Sequence, residues 1–350
     1  MRITILDDSL EEDYTRFLLG CDDSLFYASN GYRLFLKEFL GAEDRYLIAM
    51  EEGRIAGVLP LFIKRNSMHG AVINSLPFYG SNGGVIAREG VLHAKRELIK
   101  EFIALSERED CISSTIVASP FESDGDLYEK EAFFGVRDVR IGQFTPLPEA
   151  GDSIGERLMN IFAGIKRTDI RKAIKNGVTT EVDNGGEAMG FVAQTHKRNI
   201  EALGGLAKPE RFFDLIPKYF RPGADYKIYV ARLDGKPIGA MLLFYYNKTV
   251  EYFTPASVEE FRPLQALSLL AFEAMKDAVS GGFKWWNWGG TWTSQDGVYM
   301  FKSRFGSKDF AYKYYIGARK ERDYFRRLGK EILLREYPYF YVYPFAELGK

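Results

Sequence analysis

Hydrophobic positions along the chain switch between a period of two and a period near 3.6, and the switches mark out its elements. Alternating or continuous apolar runs near 2–6, 45–51, 54–64, 71–76, 113–118 and 138–142 predict strands. Helical spacing near 10–19, 30–40, 91–108 and 125–132 predicts the helices between them. Past residue 150 the alternation resumes. Helices are expected near 153–175, with a break at Gly164, near 186–203 and near 209–220, with a strand at 178–182. A hairpin at 227–244, a strand at 249–254, a helix at 263–279, a strand at 283–288, a short helix at 296–304 and a strand at 308–316 follow. Pro263 suits the first turn of its helix, where a missing N–H does no harm. A charged amphipathic helix at 319–337, stopped by Pro338, is expected to return to the first domain.

One stretch occurs twice. Residues 45–62 and 227–244 align without a gap, so that Ala49 and Ala231, Gly53 and Gly235, Gly57 and Gly239, and Phe62 and Phe244 each stand 182 positions apart. Each copy is an apolar strand, an acid-Gly turn followed by a basic residue, and a second apolar strand. Glycine supplies the positive φ of a tight hairpin, and a second glycine within a strand marks a bulge or a close backbone approach. A period this long is duplication of a domain and not a solenoid. The fold class is therefore α/β with mixed sheets, in two tandem copies. Pro146, Pro148 and Gly151 lie in the expected linker, giving an N-terminal domain of 1–150 plus 318–350 and a C-terminal domain of 151–317.

Composition narrows the class of protein. A chain of 350 residues that is 46% hydrophobic suffices for two cores. A net charge of −1 commits the whole neither to nucleic acid nor to anionic lipid. Cys21 and Cys111 have no paired spacing, and His69, His93 and His196 have no ligand spacing, so neither a disulfide framework nor a metal site is expected. The N-terminus has no signal-peptide pattern and no run is long enough for a transmembrane segment, which predicts a cytoplasmic protein whose contact with membranes would be peripheral. Phosphate-loop, dinucleotide and nucleophile-elbow motifs are missing.

The order of elements, with Gly57-Val-Leu-Pro-Leu-Phe62, Leu76-Pro-Phe-Tyr-Gly80, Ile170-Arg-Lys-Ala-Ile-Lys-Asn-Gly-Val178 and above all Gly297-Val-Tyr-Met-Phe-Lys-Ser-Arg-Phe-Gly306 after an aromatic strand ending in Gly289-Gly290, resembles the FemABX-like family of GNAT-fold acyltransferases in tandem. The resemblance implies transfer of an aminoacyl or acyl group to an amine of a cell-envelope precursor of peptidoglycan type. Aminoacyl-tRNA or acyl-CoA would be the co-substrate, with no tightly bound cofactor. Two alternatives stand beside it: an acyl-CoA-dependent N-acyltransferase acting on an amino-sugar or polysaccharide intermediate, and a catalytically inactive duplicate that binds a glycan or precursor.

Amide formation needs a proton acceptor for the attacking amine and stabilisation of an oxyanion. The resemblance points to Lys302 as catalytic. The helix pattern places it on a flank, with Val298, Phe301 and Phe305 inward. Relatives carry an acid where this chain has Asn287, which is expected here to contact substrate, leaving Glu251, Glu273 and Asp296 as possible bases, with Glu273 read as part of a solvated stripe. In this fold a splay between parallel strands receives the donor and a helix N-terminus its phosphates, which makes Arg262, just before the expected helix, a phosphate contact. The run 260–267 holds no glycine to wrap a pyrophosphate, which counts against acyl-CoA. Lys166, Arg167 and Arg171 on a basic helix could meet a diphosphate or an RNA backbone, or simply face solvent. Trp292 is the expected ligand contact among clustered tryptophans, and Tyr79 and Asn82 in a glycine-bearing loop are expected to border the acceptor.

Overall fold

A computed structural model describes residues 1–77, 82–88, 90–122, 125–131, 135–291 and 296–348. The chain divides into two compact units, Met1–Arg140 with Ala311–Lys350, and Ile141–Phe310. The strands in chain order are β1 (Arg2–Ile5), β2 (Glu43–Asp44), β3 (Leu47–Glu51), β4 (Arg54–Leu59), β5 (Phe62–Asn66), β6 (Gly70–Asn74), β7 (Ile86–Ala87), β8 (Cys111–Val117), β9 (Val136–Pro146), β10 (Thr179–Val182), β11 (Tyr226–Leu233), β12 (Lys236–Tyr246), β13 (Thr249–Ser257), β14 (Trp285–Thr291) and β15 (Lys308–Ala318). The linker expected around Pro146 is the end of a strand instead: β9 runs unbroken to Pro146, and the division falls at residue 140.

In the first unit, β1, β3, β4 and β7 form one antiparallel sheet. A second sheet has the order β2-β5-β6-β8-β15, with β6 and β8 parallel. The single strand expected over 54–64 is two, because Pro60 has no N–H for a ladder and the chain leaves one sheet for the other there. The Leu92–Arg108 helix buries Ala94, Leu98, Ile99, Phe102 and Leu105 in a core shared with Leu47, Ala49, Leu59 and Ile73. The tail belongs to this unit, as expected. Its Arg322–Glu336 helix is kinked at Gly329 (φ 72°, ψ 165°). It is tied by Asn66 Nδ2 donating to Glu336 Oε2 (2.8 Å) and Tyr337 OH donating to the Gly70 carbonyl (2.9 Å).

The second unit is one sheet of order β10-β11-β12-β13-β14-β9, antiparallel except for β13 with β14. Its central helix, Ala266–Ser280, is apolar on almost every side because it packs against β11 and β12 and also against the Ile154–Ile161 and Gly164–Lys175 helices. The break expected at Gly164 falls just before it: Phe162 and Ala163 are extended, and Gly164 opens the second helix. The Gly186–Glu201 helix packs on β12 and β13.

The repeat is structural down to single residues. Glu52-Gly53 and Asp234-Gly235 turn the two hairpins with the same φ values, 49° and 77°. In the first hairpin Ala49 faces Gly57 and Met50 faces Ile55; in the second Ala231 faces Gly239 and Arg232 faces Pro237. Both second strands therefore bulge by one residue, Ala56 and Ile238, at equivalent positions.

Candidate active site

The parallel pairing of β13 and β14 is short. It joins Thr249 to Trp285, Val250 to Trp286 and Glu251 to Asn287, then stops. Both strands are irregular immediately beyond. Phe253 is an extra residue in β13 opposite β12, and β14 gains one residue against β9 between Asn287 and Gly290. Gly289, at φ +75°, makes that kink. Two parallel strands that each turn away to another partner leave a splay, as expected, at the last shared rung.

Glu251 and Asn287 occupy that rung, each 1% exposed. Asn287 Nδ2 donates to Glu251 Oε2 (2.6 Å), and its Oδ1 accepts from the Gly289 N–H (2.8 Å). The amide thus braces the kink and orients the carboxylate, with both ends engaged inside the unit and not turned to a ligand. A carboxylate still stands at this rung, on the neighbouring strand.

Lys302 lies beside the same strand end, but not on a flank. It is 5% exposed, while Val298 and Met300 on its helix (Asp296–Ser303) are 45% and 43% exposed, the reverse of the expected facing for Val298. Its Nζ donates to Thr291 Oγ1 (2.8 Å) and to the carbonyls of Gly290 (3.3 Å) and Gly289 (3.5 Å). Among the described residues no carboxylate pairs with it. Burial lowers its pKa from the usual 10.5 to about 8. The result is a desolvated cation surrounded by neutral dipoles at the end of a splayed strand pair. Such a group can stabilise an oxyanion or hold a phosphate.

Of a second cationic feature, the sequence pattern signals Arg262 alone. A cavity of about 410 Å³ is lined by His196, Asn199, Lys208, Pro255, Ser257 and Arg262, among others. Lys208 Nζ sits 5.2 Å from the ring centroid of Phe253, the bulged residue of β13, and 6.0 Å from that of Phe212. Burial against these rings lowers its pKa to about 8. His196 accepts from the Lys208 backbone N–H at 3.3 Å, and burial with the nearby Lys208 charge pushes its pKa down to about 3, so it is neutral. Asn199 ties Ser257 through both its N–H and its carbonyl (3.1 and 3.0 Å). Among the described residues no acid lines the cavity. Nothing in the spacing of His196, Lys208, Phe253 and Arg262 signals this; only folding brings them together.

The structure separates the remaining expected site residues. Arg262 does line the cavity, half in solvent and 3.5 Å from Glu259, but it lies within a 3-10 turn (Glu259–Leu264) that also contains Pro263. The α-helix starts later, at Ala266, after Gln265 at φ +62°, because that left-handed residue breaks the turn from the helix. Lys166 is turned inward, bonded to Asp169 Oδ2 (2.9 Å) and Ser268 Oγ (3.1 Å) and lying over Phe301 (4.4 Å). Arg167 donates to the carbonyls of Met159 and Phe162, closing the preceding helix. Both are committed within the unit, leaving Arg171 exposed on that helix. Glu273 pairs with Lys276 (2.6 Å), an ordinary surface pair, and Asp296 is exposed. Trp286 and Trp288 share a face, as alternation requires, and are core. Tyr79 and Trp292 lie outside the described residues. Asn82 is half-buried in the first unit, next to Gly83, whose Cβ position is filled by Ser75.

Among the described residues, no helix is long and apolar enough to cross a membrane. Residues 224–312, which contain β11 to β14 and Lys302, match the FemAB family. No curated protein matches the sequence. Among solved structures, the chain is similar to FemX (TM-score 0.72, 15% identity, covering 89% of this chain and 97% of that one). It is also similar to a tandem GNAT protein from the clavulanic acid biosynthesis pathway (0.53, 10%, 91% and 99%). A third is the C-terminal domain of a protein assigned as a lysylphosphatidylglycerol synthetase from Agrobacterium fabrum (0.56, 12%, 93% and 96%). The fold is therefore the GNAT-like one in tandem, with mixed sheets. The motif at residues 282–306, which carries the resemblance, lies within the stretch that matches the FemAB family.

Proposed function

We propose that this protein is an acyltransferase that forms an amide by passing an aminoacyl group to an amine of a phosphorylated cell-envelope precursor, by direct attack in a ternary complex. The FemAB match and the GNAT-like fold support an acyl or aminoacyl transferase. The observation that carries the reading further is Lys302, a buried ammonium with no carboxylate partner among the described residues, at the splayed end of β13 and β14. A charge kept at that desolvation cost, without a counter-ion, suits a site whose anion arrives with the substrates. Glu251 is the proton acceptor of this reading, oriented by Asn287. Lys208 and Arg262 would hold acceptor phosphates in a cavity that has no acid among its described lining residues.

Aminoacyl-tRNA is favoured over acyl-CoA as donor. The turn after β13 has no glycine to wrap a pyrophosphate and presents Glu259 and Glu260 at its start. An inactive binding duplicate is disfavoured because the acid missing at position 287 is met by Glu251 across the rung. Mass spectrometry would decide. Purified protein is offered a charged tRNA or an acyl-CoA, each with an amine-bearing peptidoglycan precursor. A precursor heavier by one aminoacyl residue with the tRNA donor is the expected product. An acyl-CoA product would reassign the donor, and precursor binding without turnover by either donor would leave only the binding role.

A further inference from the structure

The Lys302 ammonium is held by a neutral relay with a fixed direction. Gln143 Nε2 donates to the Tyr299 carbonyl and to Ser307 Oγ, both at 3.3 Å. These contacts aim Gln143 Oε1 at Thr291, whose hydroxyl donates to it at 3.0 Å. With its single hydrogen spent, Thr291 Oγ1 can offer Lys302 only a lone pair, which it does at 2.8 Å. Gln143 is fully buried and Thr291 is 1% exposed, so water does not compete for these contacts.

We propose that Gln143 and Thr291 are positioning residues that keep Lys302 charged and aimed at the strand end, while withholding any counter-charge from it. This rests on the reading of Lys302 as a reacting-site cation. An amide placed where a carboxylate would fit gives direction without neutralisation, leaving the positive field for the incoming anion. The surroundings agree. Neither β14 nor the 141–146 end of β9 carries a titratable side chain. On the Asp296–Ser303 helix, Asp296 is exposed and Tyr299 donates to Asp309 Oδ2 (2.7 Å). Lys166, behind Phe301, is paired with Asp169, and Glu251 is bonded to Asn287.

The relay makes opposite predictions for two substitutions. Thr291→Val removes the lone pair, so the Lys302 amine should titrate lower by at least about half a unit. Gln143→Glu adds a negative charge at the far end, so it should titrate higher by a similar amount. Thr291→Ser keeps the hydroxyl and should restore the wild-type value. The measurement is a 13C NMR titration of lysine-labelled full-length protein, with the Lys302 signal identified by its loss in Lys302→Met and folding checked by thermal melts. A purely structural role would not move the titration in two directions. Equal values in all variants, or shifts of the same sign from Thr291→Val and Gln143→Glu, would overturn the proposal. Should Gln143→Glu not fold, the Val and Ser pair at 291 decides it. Because titration needs no substrate, this result is independent of the catalytic reading, which fails separately if Lys302→Met keeps full turnover.

Discussion

Lys302 shows how a residue can oppose the stability of its own fold. Lowering its pKa from 10.5 to about 8 corresponds to about 3 kcal/mol, at about 1.4 kcal/mol per unit. The folded value lies below the unfolded one, so this cost is fully present below pH 8 and is relieved as pH rises from 8 towards 10.5. Lys302→Met should therefore raise the melting temperature at pH 7 while lowering turnover by about a hundredfold or more. If the cation is what matters, wild-type turnover should fall as pH rises through about 8; a rise there would instead mean that the free amine acts as a base. Lys208→Ala should raise KM for a phosphorylated acceptor roughly tenfold with little change in kcat, since its amine faces the cavity and not the splayed strand end. Steady-state kinetics across pH tests both. The chemical type of Lys302 was legible from its motif, but its burial was not. Val298 is the more hydrophobic residue, yet the tertiary neighbours supply acceptors to the lysine and leave the valine in water.

At the scale of elements, the duplicated hairpins were legible because their determinants are local. An acid-Gly pair forces the turn, and the turn sets the register in both copies. The second glycine of each copy then diverges in its surroundings. A Cβ on Gly57 would lie 3.1 Å from Leu98 Cδ1 and 3.3 Å from the Ile86 carbonyl, whereas one on Gly239 would meet Ala256 O and Ala266 Cβ at 3.4 and 3.5 Å. Gly57→Ala should cost about 1–2 kcal/mol and Gly239→Ala should be close to neutral, as read by denaturant unfolding. The pattern around Pro263 predicts a helix start there, and the structure begins the helix later, at Ala266, for a related reason. Pro263 permits either a 3-10 turn or a first helical turn, and the choice is made at Gln265, whose left-handed backbone carries no sequence signature.

For the whole molecule, the chain order of the units has a mechanical consequence. The second unit is continuous, Ile141–Phe310, while the first is completed only by Ala311–Lys350. Truncation after Phe310 would strip β8 of the partner strand that pairs Tyr314 with Val117 and Ala318 with Ser113. It would also remove the Tyr341 backbone groups that bind Asn74. Amide hydrogen exchange should then show lost protection in β6 and β8, with β11 to β13 keeping theirs. The first unit should in consequence fold only after Ala311–Lys350 has been synthesised.

Sequence alone determined the element order, the duplication, the hairpin turns, the return of the tail and the family likeness, because hydrophobic period and turn chemistry act over a few residues. Folding alone decided that Lys302 is enclosed, that Thr291 and Gln143 direct it, and that His196, Lys208 and Arg262 share one cavity. Those outcomes depend on which polar groups arrive from distant segments to satisfy a desolvated charge, and no periodicity within a single segment records that.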